Sequence, residues 1–138
     1  MTVHAYTDGA SRGNPGESGI GFILKDEHGT VLYSAGGYIG AATNNVAEYS
    51  ALLACLSKAQ ELGCSSLIVH SDSQLMVRQV LGQYRVKDKN LQGYFAKVKQ
   101  LIHAAPFRFT IVHVEREENR DADLLANAGI DNKLPLSM

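Results

Sequence analysis

The chain is predicted to be an α/β domain built on a five-stranded mixed sheet with helices on both faces. Three observations predict it. Three strand-like stretches follow one another within the first 39 residues, separated by turns rich in Gly, Pro, Asn and Ser, as an antiparallel meander requires. Two later strand-like stretches are each entered through a helix, which is how parallel strands are joined. The first of those, S-L-I-V-H-S at 66–71, is nearly continuously apolar and suits a central strand covered on both faces.

Taken in order, residues 3–11 are rich in β-branched and aromatic side chains and read as the first strand. S-R-G-N-P-G-E-S-G reads as a turn or loop. Residues 19–26 form a second strand, E-H-G-T a tight turn, and residues 31–39 a third strand. A-A-T-N-N introduces a long helix, in which Val46, Leu52, Leu53, Leu56 and Ala59 keep helical spacing. The helix stops at Leu62-Gly63, a C-terminal glycine signal. After the strand at 66–71 come a short helix, 73–81, ending at Gly82, and a second, 90–104, ended by Pro106. Residues 107–115 alternate and form the fifth strand, and 119–129 the last helix. Residues 1–131 are expected to form one domain and 132–138 a frayed tail.

With 138 residues, 45% apolar and 20% charged, the composition is that of an ordinary globular domain able to bury a core without a disulfide staple. Cys55 and Cys64 lack CxxC spacing and read as reduced, buried thiols. No apolar run reaches the length of a membrane span, and the N-terminus is strand-like and not a signal peptide, so a cytoplasmic setting is expected. No exposed apolar surface calls for an oligomer, so a monomer is expected. The net charge of −1 hides an asymmetry: residues 73–108 carry seven Lys and Arg against Asp88 alone, leaving the rest of the chain acidic. A solvated helix face explains such a run, and so does a surface for a polyanion.

Four acidic residues stand where carboxylates are unfavourable. Asp8 closes V-H-A-Y-T and Asp72 closes L-I-V-H-S, so both are placed at strand ends. If those strands are adjacent and parallel, their ends lie about 4.8 Å apart. Glu48 and Asp123 each fall about one turn into an apolar helix. Converging carboxylates raise one another's pKa and are retained when a cation sits among them; hard divalent cations prefer such oxygen ligands. Each residue also has a local explanation. Glu48 would complete a capping box with Asn45 as N-cap, Asp72 would cap the following helix, Asp123 would be a first-turn acid, and Asp8 would begin an Asx-turn. Their joint occurrence at corresponding ends of core elements favours a metal-dependent enzyme.

The motifs Y-T-D-G-A-S-R-G-N-P-G, T-N-N-V-A-E-Y-S-A-L, H-S-D-S-Q-L and V-E-R-E-E-N-R-D-A-D-L-L-A-N, in this order over residues 3–130, resemble type 1 ribonuclease H. The resemblance implies the ribonuclease H-like fold and an endonuclease that cuts the RNA strand of an RNA–DNA hybrid, using two Mg²⁺ ions (Mn²⁺ as a substitute) and leaving 5′-phosphate and 3′-hydroxyl ends. It places the metal-binding acidic tetrad on Asp8, Glu48, Asp72 and Asp123; Asp121 competes for the last place, but A-D-L-L-A-N keeps the spacing through Asp123. It implies that Asp8 bridges the ions, Asp72 and Glu48 complete one shell and Asp123 the other, with Glu48 also meeting a ribose 2′-hydroxyl. Gly9, Ser11 and Asn14 in the Gly-rich turn would face the RNA strand. Asn44, Asn45 and Gln74 would contact the minor groove and 2′-hydroxyls, and Thr43 with Asn90 a DNA phosphate.

Two departures from the family pattern stand out. The histidine that many members carry in the loop after the last strand is missing; His113 falls on the strand itself, and Arg116 is the candidate for the vacant role. The basic protrusion between the middle helices shrinks to Q-Y-R-V-K-D-K, with no tryptophan in the chain and no appended hybrid-binding domain. The competing classes are a non-catalytic nucleic-acid-binding module and another nuclease on the same fold. All four carboxylates are present, against the first, and T-N-N and D-S-Q argue against the second.

Overall fold

A computed structural model describes residues 1–135. Five strands, β1 (Thr2–Gly13), β2 (Gly16–Lys25), β3 (Val31–Ala42), β4 (Ser66–Ser71) and β5 (Arg108–His113), form one sheet in the order β3-β2-β1-β4-β5. β1, β2 and β3 are antiparallel neighbours; β4 runs parallel to both β1 and β5. This is the mixed sheet expected, three meander strands plus two entered through helices.

Helix α1 (Asn44–Leu62) packs on β1 and β2, and α3 (Lys89–Ala104) packs on α1. The short α2 (Gln74–Val80) lies against β5 and is tied to α1 by a buried hydrogen bond, 2.7 Å, from Tyr49 Oη to Gln79 Oε1. Helix α4 (Arg120–Asp131) covers β2, β3 and β1 from the opposite side. Its backbone comes so close that a Cβ on Gly21 would lie 2.4 Å from the Ala122 carbonyl oxygen. Ile20, Phe22, Leu24, Leu52, Leu56, Leu67 and Val69 fill the core. Cys55 and Cys64 are buried and free, as the spacing suggested. Among the described residues no helix is long and apolar enough to cross a membrane.

Several boundaries differ from the sequence reading. The stretch 11–19 is not an open loop. β1 and β2 stay paired through Arg12↔Glu17 to Gly13↔Gly16, and only Asn14 and Pro15, joined by a cis peptide, turn the chain. Asp8 therefore lies within β1, not at its end. It sits where the β1–β4 ladder stops, since the last parallel pair is Thr7↔Ser71. β3 runs on to Ala42, and β5 is confined to Arg108–His113. A 3-10 turn (Arg116–Asn119) precedes α4.

The local explanations of three carboxylates fail as well. Thr43, not Asn45, caps α1, its side chain accepting from Val46 N at 3.2 Å. Glu48 is then two residues too deep for a capping box. Ser73, not Asp72, caps α2 by accepting from Met76 N. Asp8, inside a ladder, begins no Asx-turn. Asp123 does fall in the first turn of α4. Of the expected tail, Leu134 O accepts from Tyr38 N and Lys133 pairs with Glu17; residues 136–138 lie outside the described residues.

Candidate active site

The site forms where β1 and β4 part. Thr7 and Ser71 are the last partners of the parallel ladder, so the next residues, Asp8 and Asp72, leave it side by side. Glu48 arrives from the α1 face through a gap that glycine alone permits: a Cβ on Gly9 would lie 2.2 Å from the Ala47 carbonyl carbon. The same approach lets Gly9 N donate to Glu48 Oε1 at 2.8 Å, fixing the carboxylate. Asp8, Glu48 and Asp72 each offer an oxygen, and these atoms lie within 4.8 Å of one another. Asp123 comes from α4 on the opposite face and lines the same cleft, close enough to Asp8 to raise its pKa.

The electrostatics are those of a site built for positive charge. Asp8 and Glu48 are only 5% and 4% exposed. Burial first, then the charges of Glu48 and Asp72, push the Asp8 carboxyl up to about 10. Burial and the charge of Asp72 push Glu48 up to about 8, against the opposing Gly9 N–H. Burial also raises Asp72, while Arg116 draws it back. The donor set is all carboxylate oxygen, which suits a hard divalent cation, so Asp8, Glu48 and Asp72 fit such an ion.

The cleft, about 610 Å³, brings most of the predicted residues together: the four carboxylates, Gly9, Ser11, Asn44 and Arg116 line it, as does His113 at the end of β5. Asn14 lies at the hairpin tip and its Oδ1 accepts from Asn44 N at 3.1 Å, joining the turn to the start of α1. Ser11 Oγ donates to Ala42 O at 2.9 Å. Thr43 and Asn90 share a second, smaller cavity of about 300 Å³ with Ser50 and Tyr94. Gln74 stands in a groove between α2 and β5, and Asn45 is exposed in the first turn of α1.

Three residues escaped the sequence reading. Asn119 is 1% exposed, and its Nδ2 donates to Thr7 O at 2.8 Å, holding the backbone just before Asp8. Asn127 donates to Asp123, and Arg12 donates to Asn127. The signal for Asn127 was its place one turn after Asp123 on the helix. Nothing local could have flagged Arg12, whose partners are more than a hundred residues away.

The family model for reverse transcriptase-like proteins matches residues 6–129. Ribonuclease H of Methylococcus capsulatus is 33% identical over 147 residues, covering 96% of this chain and 92% of that protein. The chain belongs to the ribonuclease H family. Ribonuclease HI of Halobacterium salinarum is 40% identical over 130 residues, 94% of this chain. The crystal structure of LC11-RNase H1 in complex with RNA/DNA hybrid superposes with a TM-score of 0.91 at 42% identity, covering 94% of this chain and 97% of that one. The chain spans 65% of the length of the Halobacterium enzyme and 36% of the bifunctional protein Rv2228c of Mycobacterium tuberculosis, to which it is 41% identical. Against the ribonuclease H fold, the carboxylate cleft lies at the carboxyl ends of the parallel strands, where ligand sites of open α/β sheets are found.

Proposed function

We propose that this chain is a ribonuclease H: an endonuclease that hydrolyses the RNA strand of RNA–DNA hybrids and leaves 5′-phosphate and 3′-hydroxyl ends. The observation that carries the reading is the group of three carboxylate oxygens within 4.8 Å, with Asp123 beside it in one open cleft. Two Mg²⁺ ions, with Mn²⁺ as a substitute, would be held by Asp8, Glu48, Asp72 and Asp123. When bound, they would supply charge neutralisation and an activated water for in-line displacement at phosphorus.

The chain's own residues supply the rest. Gly9 N–H keeps Glu48 turned into the cleft. Ser11 and Asn44 line it, and with Asn14, Asn45 and Gln74 outside it they would supply the hydroxyl and amide groups that read 2′-hydroxyls and minor-groove edges. The Thr43–Asn90 cavity would take a backbone phosphate of the DNA strand, with the Thr43 hydroxyl and Asn90 amide as its polar groups. Arg116 lines the cleft, and its charge lowers both Glu48 and Asp72. An arginine stays protonated at any working pH, so its role is to bind the scissile phosphate or help expel the product, not to carry protons. The enzyme acts as a monomer in a cytoplasmic setting.

The test is Mg²⁺-dependent cleavage of an end-labelled RNA–DNA hybrid, beside duplex DNA and single-stranded RNA, with Asp8→Asn as control. Cleavage of the hybrid's RNA strand alone, lost in Asp8→Asn, is expected. Cutting of duplex DNA would favour a nuclease of another specificity, and binding without cutting a non-catalytic module.

A further inference from the structure

Asp123 is the one carboxylate of the four placed neither by a backbone donor, as Glu48 is, nor by the parting of β1 from β4, as Asp8 and Asp72 are. It stands on α4, outside the group of three oxygens, and its reach into the cleft depends on its side-chain conformation. A chain of hydrogen bonds from the β1–β2 hairpin ends on it. Asn127, one turn further along α4 and half-buried, donates from Nδ2 to Asp123 Oδ1 at 3.2 Å and to Asp123 O at 3.0 Å. Asn127 Oδ1 accepts from Arg12 Nη2 at 2.9 Å, and Arg12 Nη1 donates to Asp131, one turn further still. Arg12 thus grips two successive turns of α4 from the β1–β2 hairpin and lines the cleft beside the carboxylates.

We propose that Arg12 and Asn127 are positioning residues that hold Asp123 as a metal ligand. The polarity of the chain dictates the geometry. A guanidinium only donates and a carboxylate only accepts, so the amide between them has one satisfied orientation, oxygen to Arg12 and NH₂ to Asp123. One Asp123 oxygen is then held by the amide and the other is left for a cation in the cleft. Hydrogen bonds of this kind to a ligating carboxylate fix its orientation, and their loss weakens metal binding or activity about 10- to 100-fold. Stability is not the purpose: both Arg12 and Asp131 are exposed, and such ion pairs contribute little.

The proposal rests on Asp123 being a metal ligand, and the test separates the two. Mn²⁺ binding to the intact chain is titrated without substrate, following the free-ion electron paramagnetic signal, for wild type, Asp123→Asn, Asn127→Ala, Arg12→Ala and Arg12→Lys. Asn127→Ala is expected to weaken one Mn²⁺ site about tenfold. Arg12→Ala should weaken it by less, and Arg12→Lys, which still donates, should recover part of the loss. In steady-state assays Asn127→Ala should need more Mg²⁺ for full turnover, reach near wild-type kcat at high Mg²⁺, and keep its KM for the hybrid. A purely structural role would lower the melting temperature and leave the Mn²⁺ isotherm in place. If Asp123→Asn weakens Mn²⁺ binding while Asn127→Ala and Arg12→Ala both follow the wild-type curve, the positioning role is overturned. If Asp123→Asn itself leaves the curve unchanged, the ligand assignment beneath it is overturned. Should Asn127→Ala not fold, the two Arg12 variants at the exposed end of the chain decide alone.

Discussion

Replacing Asp8 by asparagine removes one of three converging carboxylates and should stabilise the metal-free protein while abolishing activity. The pKa of Asp8 stands near 10 against an ordinary 3.8, so between those values the folded state keeps a proton that the unfolded chain has released. The contribution is fully present below about pH 4 and is lost progressively as pH rises towards 10. At pH 7 the penalty follows from about 1.36 kcal/mol per unit over the three units above 3.8, or about 4 kcal/mol as a limit. Asparagine carries no such penalty, and its NH₂ faces Glu48 and Asp72 as a donor. The burial of an amide takes back part of the gain, leaving about 2 kcal/mol. For a chain of 138 residues one kcal/mol moves the melting temperature by roughly 3 °C. Asp8→Asn in EDTA should therefore melt about 6 °C above wild type at pH 7, more at pH 9, and below it at pH 4, where only the cost of burying the amide remains. Mg²⁺ should raise the melting temperature of wild type and scarcely move the variant. Scanning calorimetry or fluorimetry across pH 4–9 reads all of this. A variant that melts below wild type at pH 9, or a difference that does not grow with pH, would refute the assignment of repulsion and burial to this cluster.

Gly9→Ala should disrupt the site from its backbone: the new Cβ meets the Ala47 carbonyl carbon at 2.2 Å, so α1 must retreat, at a loss of about 2 kcal/mol or more in denaturant titration and with cleavage abolished. Arg116→Ala should lower turnover more than affinity; wild-type turnover in steady-state kinetics would remove Arg116 from the reaction. Mg²⁺ binding should release protons at pH 7, because Asp8 and Glu48 are protonated in the metal-free cleft, so calorimetric heats should vary with the ionisation enthalpy of the buffer and affinity should rise with pH. Hybrid binding should be weaker, at matched salt, than in relatives that carry the basic protrusion, because fewer lysines and arginines meet phosphates; equal affinity in a fluorescence titration would contradict this.

What the sequence disclosed, and what it hid, follows from the range of the interactions involved. Strand and helix types came through because periodicity and turn chemistry are local: Gly63 ends α1 at a left-handed φ of 73°, as the glycine signal indicated. The stretch 11–19 was misread because its Gly, Pro, Asn and Ser content is that of a loop, while the pairing of Arg12 with Glu17 that makes it strand is a contact between two segments. The cap of α1 was misplaced by two residues because Thr43, Asn44 and Asn45 are all competent caps, and only tertiary packing chooses among them. The convergence of the four carboxylates was legible because Asp8 and Asp72 close neighbouring apolar stretches, where the β1–β4 ladder stops, and Glu48 and Asp123 each fall about a turn into a helix packed on the sheet. Asn119, Asn127 and Arg12 were not: each acts through a partner on another element, and a lone amide or arginine carries no sign of that partner.

The placement of the carboxylates explains why the sheet carries so many glycines on the paths between them. A sheet separates its two faces, yet Glu48 comes from the α1 side and Asp123 from the α4 side. They can meet only at an edge of the hydrogen-bonded ladder, and the parting of β1 from β4 after Thr7↔Ser71 supplies that edge in the middle of the sheet. Both helices must then approach the sheet closely for one-turn side chains to reach it. Gly9 admits α1, and Gly21, the antiparallel partner of Asp8, admits α4, whose Ala122 carbonyl would lie 2.4 Å from a Cβ there. The two glycines flank Asp8, in sequence and across the ladder. A side chain at Gly9 would push Glu48 out of reach, and one at Gly21 would push away Asp123. The same geometry predicts an asymmetry between them. Gly21→Ala should weaken the contribution of Asp123 alone, giving an enzyme that binds Mn²⁺ at the triad and recovers turnover only at raised metal concentration. Gly9→Ala should lose Mn²⁺ binding at the triad itself. Equal losses in the two variants would mean that the helices do not deliver their carboxylates independently.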